Sequence, residues 1–213
     1  MRRALALLLL SCRREAPVAH AVDAEMKPAP SASAPAPRCP DAVTLASLGE
    51  VQTPPGAWLA RLEFAELYVR IPKDLVRAPE TDHVVLRGYP KSPVRGRRNA
   101  DRQITLLAEQ RTYAVNEPVR IVHVLEVFAK GEDLFVMGPK PITGEWVDGT
   151  RVTPDVPTWG AFTMGVYDGA VMQSPGLDVN FEISVYTFAT PGLHHVQWRA
   201  GVVDSNVLCV EVR

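Results

Sequence analysis

From residue 104 to the C-terminus the chain is a succession of short apolar segments cut by turn residues, and this pattern admits few folds. Val119-Arg120-Ile121-Val122-His123-Val124-Leu125-Glu126-Val127-Phe128 is dense in β-branched residues, which suit a pleated surface, and it follows the turn signal Asn116-Glu117-Pro118. Glu145-Trp146-Val147 and Thr150-Arg151-Val152 flank Asp148-Gly149. An Asp-Gly pair in that setting predicts a tight hairpin, because both turn positions need φ > 0. Val166-Tyr167 and Ala170-Val171-Met172 flank a second pair, Asp168-Gly169. Val179, Phe181, Ile183 and Val185 alternate with Asn180, Glu182, Ser184 and Tyr186, the pattern of a half-buried strand. Pro191-Gly192 turns the chain into His195-Val196-Gln197-Trp198-Arg199, with Val196 and Trp198 on one face, and Asp204-Ser205-Asn206 turns it again into the last strand. Many short strands joined by turns predict a mainly β protein, an antiparallel sandwich, with the Pro- and Gly-rich residues 137–165 as an irregular, loop-rich insertion.

The stretch before residue 104 is less explicit. Residues 58–67 fit a helix with Trp58, Leu62, Ala65 and, just beyond, Val69 on one side, or a strand, and periodicity does not separate the two over so short a run. Leu67-Tyr68-Val69-Arg70-Ile71 alternates like a strand and stops at Pro72. Residues 87–102 read as a loop because Gly88, Pro90, Pro93, Gly96 and Asn99 interrupt them. That loop holds Arg87, Lys91, Arg95, Arg97, Arg98 and Arg102 against a single acid, Asp101.

The N-terminus carries a different message. Met1-Arg2-Arg3 precedes an apolar run over residues 4–10 and then Leu9-Leu10-Ser11-Cys12. A basic start, an apolar stretch and a small residue before the cut describe an export signal. These residues resemble the lipobox of bacterial lipoproteins. The resemblance implies cleavage after residue 11, acylation of Cys12, and a cell-envelope protein held to a membrane by its N-terminal lipid. Arg13 at the following position implies the outer membrane rather than retention at the inner one. Residues 12–38 contain Lys27-Pro28-Ala29-Pro30-Ser31-Ala32-Ser33-Ala34-Pro35-Ala36-Pro37, which has no large apolar side chain to bury. Such a run is an extended, disordered linker, here a tether between anchor and domain. Residues 39–213 then form a single β-sandwich domain.

With Cys12 assigned to lipid, Cys39 and Cys209 remain as a pair in an oxidising compartment, where disulfides persist. In Asn206-Val207-Leu208-Cys209-Val210-Glu211-Val212, alternation puts Leu208, Val210 and Val212 on one face and Cys209 on the other. The expected bond therefore crosses the outside of the final strand.

Residues that could carry chemistry are few. No Gly-x-Ser-x-Gly elbow, His-Glu-x-x-His or Cys-x-x-Cys spacing occurs, so neither an enzyme of a common nucleophile class nor a zinc site is expected, and no cofactor is implied. His194-His195 would point to opposite faces of a strand. His123 shares the face of Val119, Ile121, Leu125 and Val127 and reads as a hydrogen-bonded core histidine. Asp148, Asp168 and Asp178 are turn acids without the spacing of a calcium loop. Arg95, Arg97, Arg98 and Arg102 are the candidates for an anionic ligand, and Trp146 and Trp159 for aromatic contact. Net charge is −1 for the whole chain and −3 once residues 1–11 are removed, which gives no basic footprint for nucleic acid.

Arg111-Thr112-Tyr113-Ala114-Val115-Asn116-Glu117-Pro118-Val119, Pro191-Gly192-Leu193-His194-His195-Val196-Gln197-Trp198-Arg199 and Ser205-Asn206-Val207-Leu208-Cys209-Val210-Glu211-Val212 resemble, in outline, bacterial immunoglobulin-like domains. The Cys…Trp…Cys pattern of antibody domains is missing. The resemblance implies a sandwich that binds or presents rather than catalyses. The expected function is that of a non-enzymatic envelope lipoprotein making protein–protein contacts. The alternatives are a module for glycan or anionic envelope polymer using loop 87–102, and an inhibitor of an envelope protease.

Overall fold

The computed structural model describes residue 39 and residues 62–163 and 169–213. The expected signal, Cys12, the linker, the start of the 58–67 segment and the first half of the Asp168-Gly169 hairpin lie outside the described residues. The strands in chain order are β1 (Tyr68–Ile71), β2 (Asp74–Arg77), β3 (Arg102–Leu107), β4 (Thr112–Tyr113), β5 (Val119–Val127), β6 (Asp133–Phe135), β7 (Glu145–Val147), β8 (Thr150–Arg151), β9 (Val171–Gln173), β10 (Gly176–Asp178), β11 (Glu182–Tyr186), β12 (Gly192–Ala200), β13 (Val203–Asp204) and β14 (Leu208–Val212). A helix, α1, spans Glu80–Arg87, and the described residues 62–64 are helical as well. Among the described residues no helix is long and apolar enough to cross a membrane.

The fold is mainly β, with two six-stranded sheets in a sandwich-like arrangement. In the first sheet β5 is central. β3 pairs with one edge, β10 and β11 share the other, and β11 leads through β1 to β2. The second sheet runs β4-β14-β12-β7-β8, with β13 against β12, and β6 and β9 form a small ribbon. Pairing is antiparallel except for β1 with β11 and β4 with β14, which are parallel. These two parallel joins depart from a purely antiparallel sandwich. They arise where short strands before the main body, β1 and β4, dock beside late ones.

β5 explains why its sequence does not alternate. Val119, Ile121, Leu125 and Val127 face the core between the sheets, with Phe181, Val196, Trp198, Val210 and Val212. Val122 and Val124 face a second core with Leu67, Leu86, Tyr89, Val179 and Ile183. A strand buried on both faces reads as a continuous apolar run. The second core is roofed by α1, an element the apolar pattern does not predict. Its start is set by Pro79, the acidic first turn Glu80 and Asp82, and its end by Arg87 and Gly88. Arg87 therefore closes a helix and Arg102 opens β3, so only the middle of residues 87–102 is loop, and Tyr89–Lys91 forms a 3-10 turn.

The Asp148-Gly149 hairpin forms as expected, with φ of 48° and 78° at the two turn residues. β9 pairs with β6 rather than with a described strand on the far side of Asp168-Gly169. The last strand keeps its alternation: Val210 and Val212 are buried, while Cys209 is half-buried on the opposite face. Cys209 bonds to Cys39 across a Cα–Cα distance of 5.8 Å.

Candidate functional site

A groove opens at the edge of the first sheet. Its volume is about 750 Å³, and its walls include Leu75 of β2, Arg70 of β1, Met137, Pro139, Pro157 and Trp159. A neighbouring depression of about 520 Å³ shares Met137 and Gly138 with it and adds Phe64, Tyr68 and Asn180. Large apolar side chains stand open to solvent along this trough: Phe64 is 82% exposed, Trp159 58% and Met137 53%. Single exposed apolar residues are ordinary, but several lining one concavity mark an interaction surface.

Local chemistry holds the trough open. Prolines 139, 141, 154 and 157 on its walls have fixed φ and no N–H to donate, so they cannot extend a sheet across the opening. Gly138 lies at the floor, where a Cβ would come within 2.3 Å of the Asn180 carbonyl oxygen. Arg70 is clamped by a two-pronged ion pair to the Glu182 carboxylate, which fixes the wall nearest β1.

The strand bordering the groove is an edge. Among the described residues β2 pairs only with β1, in the register Tyr68↔Arg77 to Ile71↔Asp74. The ladder continues to Ala78 N–H on the Leu67 carbonyl, so its parity turns the N–H groups of Leu75 and Arg77 away from β1. The Leu75 N–H donates instead to Asp74 Oδ1 at 2.8 Å. A charged side chain covering an edge amide is a device that keeps edges from pairing indiscriminately.

The basic residues singled out from the sequence are turned to other tasks. Arg95 lies over the Tyr89 ring at 4.5 Å, with its guanidinium 3.6 Å from Glu126. Glu126 also accepts the Tyr89 hydroxyl. Burial pushes the Glu126 carboxyl above its ordinary range against the opposing pull of Tyr89 and Arg95. Arg98 stacks on Phe128 at 4.1 Å and pairs with Asp101, and Arg102 pairs with Glu132 at 2.9 Å. Arg97 is exposed. The four do not converge on one concavity.

Trp146 is half-buried under Arg199, whose guanidinium sits 4.4 Å from its ring centre, whereas Trp159 lines the groove. His194 and His195 flank Asp148, which takes the His194 Nδ1 at 2.7 Å and the His195 backbone N–H at 2.8 Å. Asp148 is thus a hairpin clamp, and Asp178 is paired with Lys140 at 2.8 Å.

His123 is a core residue, and it has a partner the sequence did not reveal. Its Nε2 lies 2.9 Å from Glu145 Oε1, and both side chains are fully buried between the sheets. Ser184 Oγ and the Tyr186 hydroxyl donate to Glu145 Oε2. Burial alone would raise the Glu145 carboxyl, but the facing His123 and the three hydrogen bonds outweigh it and hold it below its ordinary range. The Trp198 ring meets His123 edge-on at 5.1 Å and donates its Nε1–H to the Thr143 carbonyl. Glu145 and His123 are fully buried while Ser184 and Tyr186 are half-buried, and the network ties β5 and β11 to β7.

No known family, curated protein or solved structure matches this chain. The functional reading therefore rests on the geometry alone. Leu75, Met137 and Phe64 escaped the sequence reading because each lies in a short segment without a motif, and only folding brings them beside Trp159.

Proposed function

We propose that this chain is a non-enzymatic binding module of the cell envelope, anchored through lipidated Cys12. It holds an extended segment of a partner protein in the trough beside β2. The observation that carries this reading is the trough itself, which joins exposed Trp159 and Met137 to an open strand edge. An extended peptide is the occupant that uses both features. Its backbone pairs with the outward amides of β2, and its alternate side chains enter the apolar pocket. Asp74 covers the Leu75 N–H until a partner carbonyl replaces it. The anionic-polymer alternative rests on Arg97 and draws less support, because Arg95, Arg98 and Arg102 are occupied by internal partners.

Selection from a random peptide library displayed on phage tests the reading. Apolar peptides with alternating pattern are expected to be enriched on the wild-type protein, and Trp159→Ala should weaken their binding at least about tenfold, the scale of a lost aromatic anchor. Enriched peptides that bind Trp159→Ala equally well, or polyanions that displace them in low salt only, would refute it. Anchoring is tested separately by Cys12→Ser and cell fractionation. Membrane association is expected to be lost, and unchanged association would remove the lipid from the account.

A further inference from the structure

Lys140 and Asp178 form an ion pair in a place where ion pairs are rare. The Lys140 Nζ lies 2.8 Å from Asp178 Oδ2, and the two side chains are 0% and 1% exposed. Charged groups are almost never wholly buried, because leaving water costs each of them several kcal/mol. The ammonium also lies 4.5 Å from the centre of the Phe181 ring and donates to the Phe135 carbonyl at 2.8 Å.

The backbone fixes both partners before they meet. Lys140 donates its N–H to Asn180 and accepts the N–H of Glu182, each at 2.9 Å, which makes a parallel bridge to Phe181. Asp178 sits in β10 opposite Leu125 of the central strand. Sheet pairing therefore holds both backbones, and the Nζ is further positioned by the Phe135 carbonyl. Fixed proximity of this kind can replace high concentrations of free reactants. The other carboxyl oxygen, Asp178 Oδ1, accepts the backbone N–H of Asn180 at 3.0 Å. A donor aimed there would stabilise negative charge developing on that oxygen if the carbon were attacked.

We propose that Lys140 and Asp178 condense into an intramolecular isopeptide bond. In the dry core a proton passes from the ammonium to Oδ2, giving a neutral amine and a carboxylic acid, the forms that low polarity favours. The Nζ lone pair attacks Asp178 Cγ, and the charge that develops on Oδ1 is held by the Asn180 N–H. The C–Oδ2 bond then breaks, and Oδ2 leaves as water with a second proton from Nζ. Ammonium and carboxylate become an amide and one water, so charge and atoms balance and no oxidant, reductant or other reactant is needed. The bond ties the segment before β7 to β10, a position remote from the Cys39–Cys209 link on β14.

Intact mass spectrometry of the full chain, denatured, reduced and alkylated, tests the proposal. The wild-type protein is expected to weigh one water less than its sequence, and Lys140→Met and Asp178→Ala are each expected to show no such deficit. Peptide mapping should then find a branched peptide joining Lys140 to Asp178. A wild-type mass without the deficit overturns the proposal. So does a deficit that maps to a succinimide at an Asp-Gly pair, such as Asp148-Gly149, since that cyclisation also loses water. Both variants are read denatured, so a failure to fold leaves the test intact.

Discussion

Glu145→Leu is the perturbation that tests most sharply how the two sheets are held together. The buried carboxylate accepts from His123 Nε2, Ser184 Oγ and the Tyr186 hydroxyl, the last two from half-buried side chains. Leucine fills much of the volume but leaves these donors without an acceptor. A buried donor left unsatisfied costs about 1–3 kcal/mol, and removing one member of a buried pair costs about 3–5 kcal/mol. The single substitution should therefore lower stability by about 4 kcal/mol. His123→Leu should do similar harm, and the double variant should cost clearly less than the sum, because the donor and acceptor leave together. Urea unfolding gives these values as shifts in midpoint at constant slope. The pH dependence follows from the same geometry. The folded Glu145 carboxyl is held below its ordinary value of 4.5, so its contribution is complete above that pH and is lost as pH falls through the folded value. The wild-type protein should thus lose an acid-dependent part of its stability that Glu145→Leu does not have to lose. A Glu145→Leu variant within about 1 kcal/mol of wild type, or strictly additive single and double variants, would refute the reasoning.

The disulfide closes a span of 170 residues, and chain entropy for a loop of that length gives an upper figure of about 5 kcal/mol. Cys39→Ala with Cys209→Ala should lower the unfolding midpoint accordingly, and reductant should do the same to the wild type but not to the variant. In His194, partial burial lowers the pKa, but the bond to Asp148 and the Thr190 carbonyl outweigh it and raise the value above 6.5. Its contribution to stability is therefore present below 6.5 and is lost as pH rises through the folded value. NMR titration should show a midpoint above 6.5 that falls in Asp148→Asn. A midpoint unmoved by that change would show that Asp148 is not the cause.

Much of the fold was legible because its signals are local. Asp148-Gly149 needs only two positive φ values, and the alternation of β14 placed Cys209 outside before any contact was known. Trp198 and Val196 were assigned to one face for the same reason. Helix α1 is also written in the sequence, in Pro79, Glu80, Asp82, Arg87 and Gly88, but eight residues are too few for a clear helical period. Two kinds of information were not local. The parallel joins of β1 to β11 and β4 to β14 depend on which distant strand offers a free edge. The partners of buried charges depend on the third dimension: His123 was placed correctly in the core, but Glu145 is 22 residues away and Lys140 faces an acid across the small ribbon's flank. The candidate site was legible only in Trp159. Its remaining walls are prolines and short apolar segments that have no meaning until they are folded together.

Hydrogen–deuterium exchange on a complex with a library-selected peptide tests most directly the claim that a partner segment lies along β2. The account predicts slowed exchange at the outward amides of Leu75 and Arg77, with no comparable change over residues 95–102. Protection confined to residues 95–102, or none along Asp74–Arg77 at saturating peptide, would contradict it.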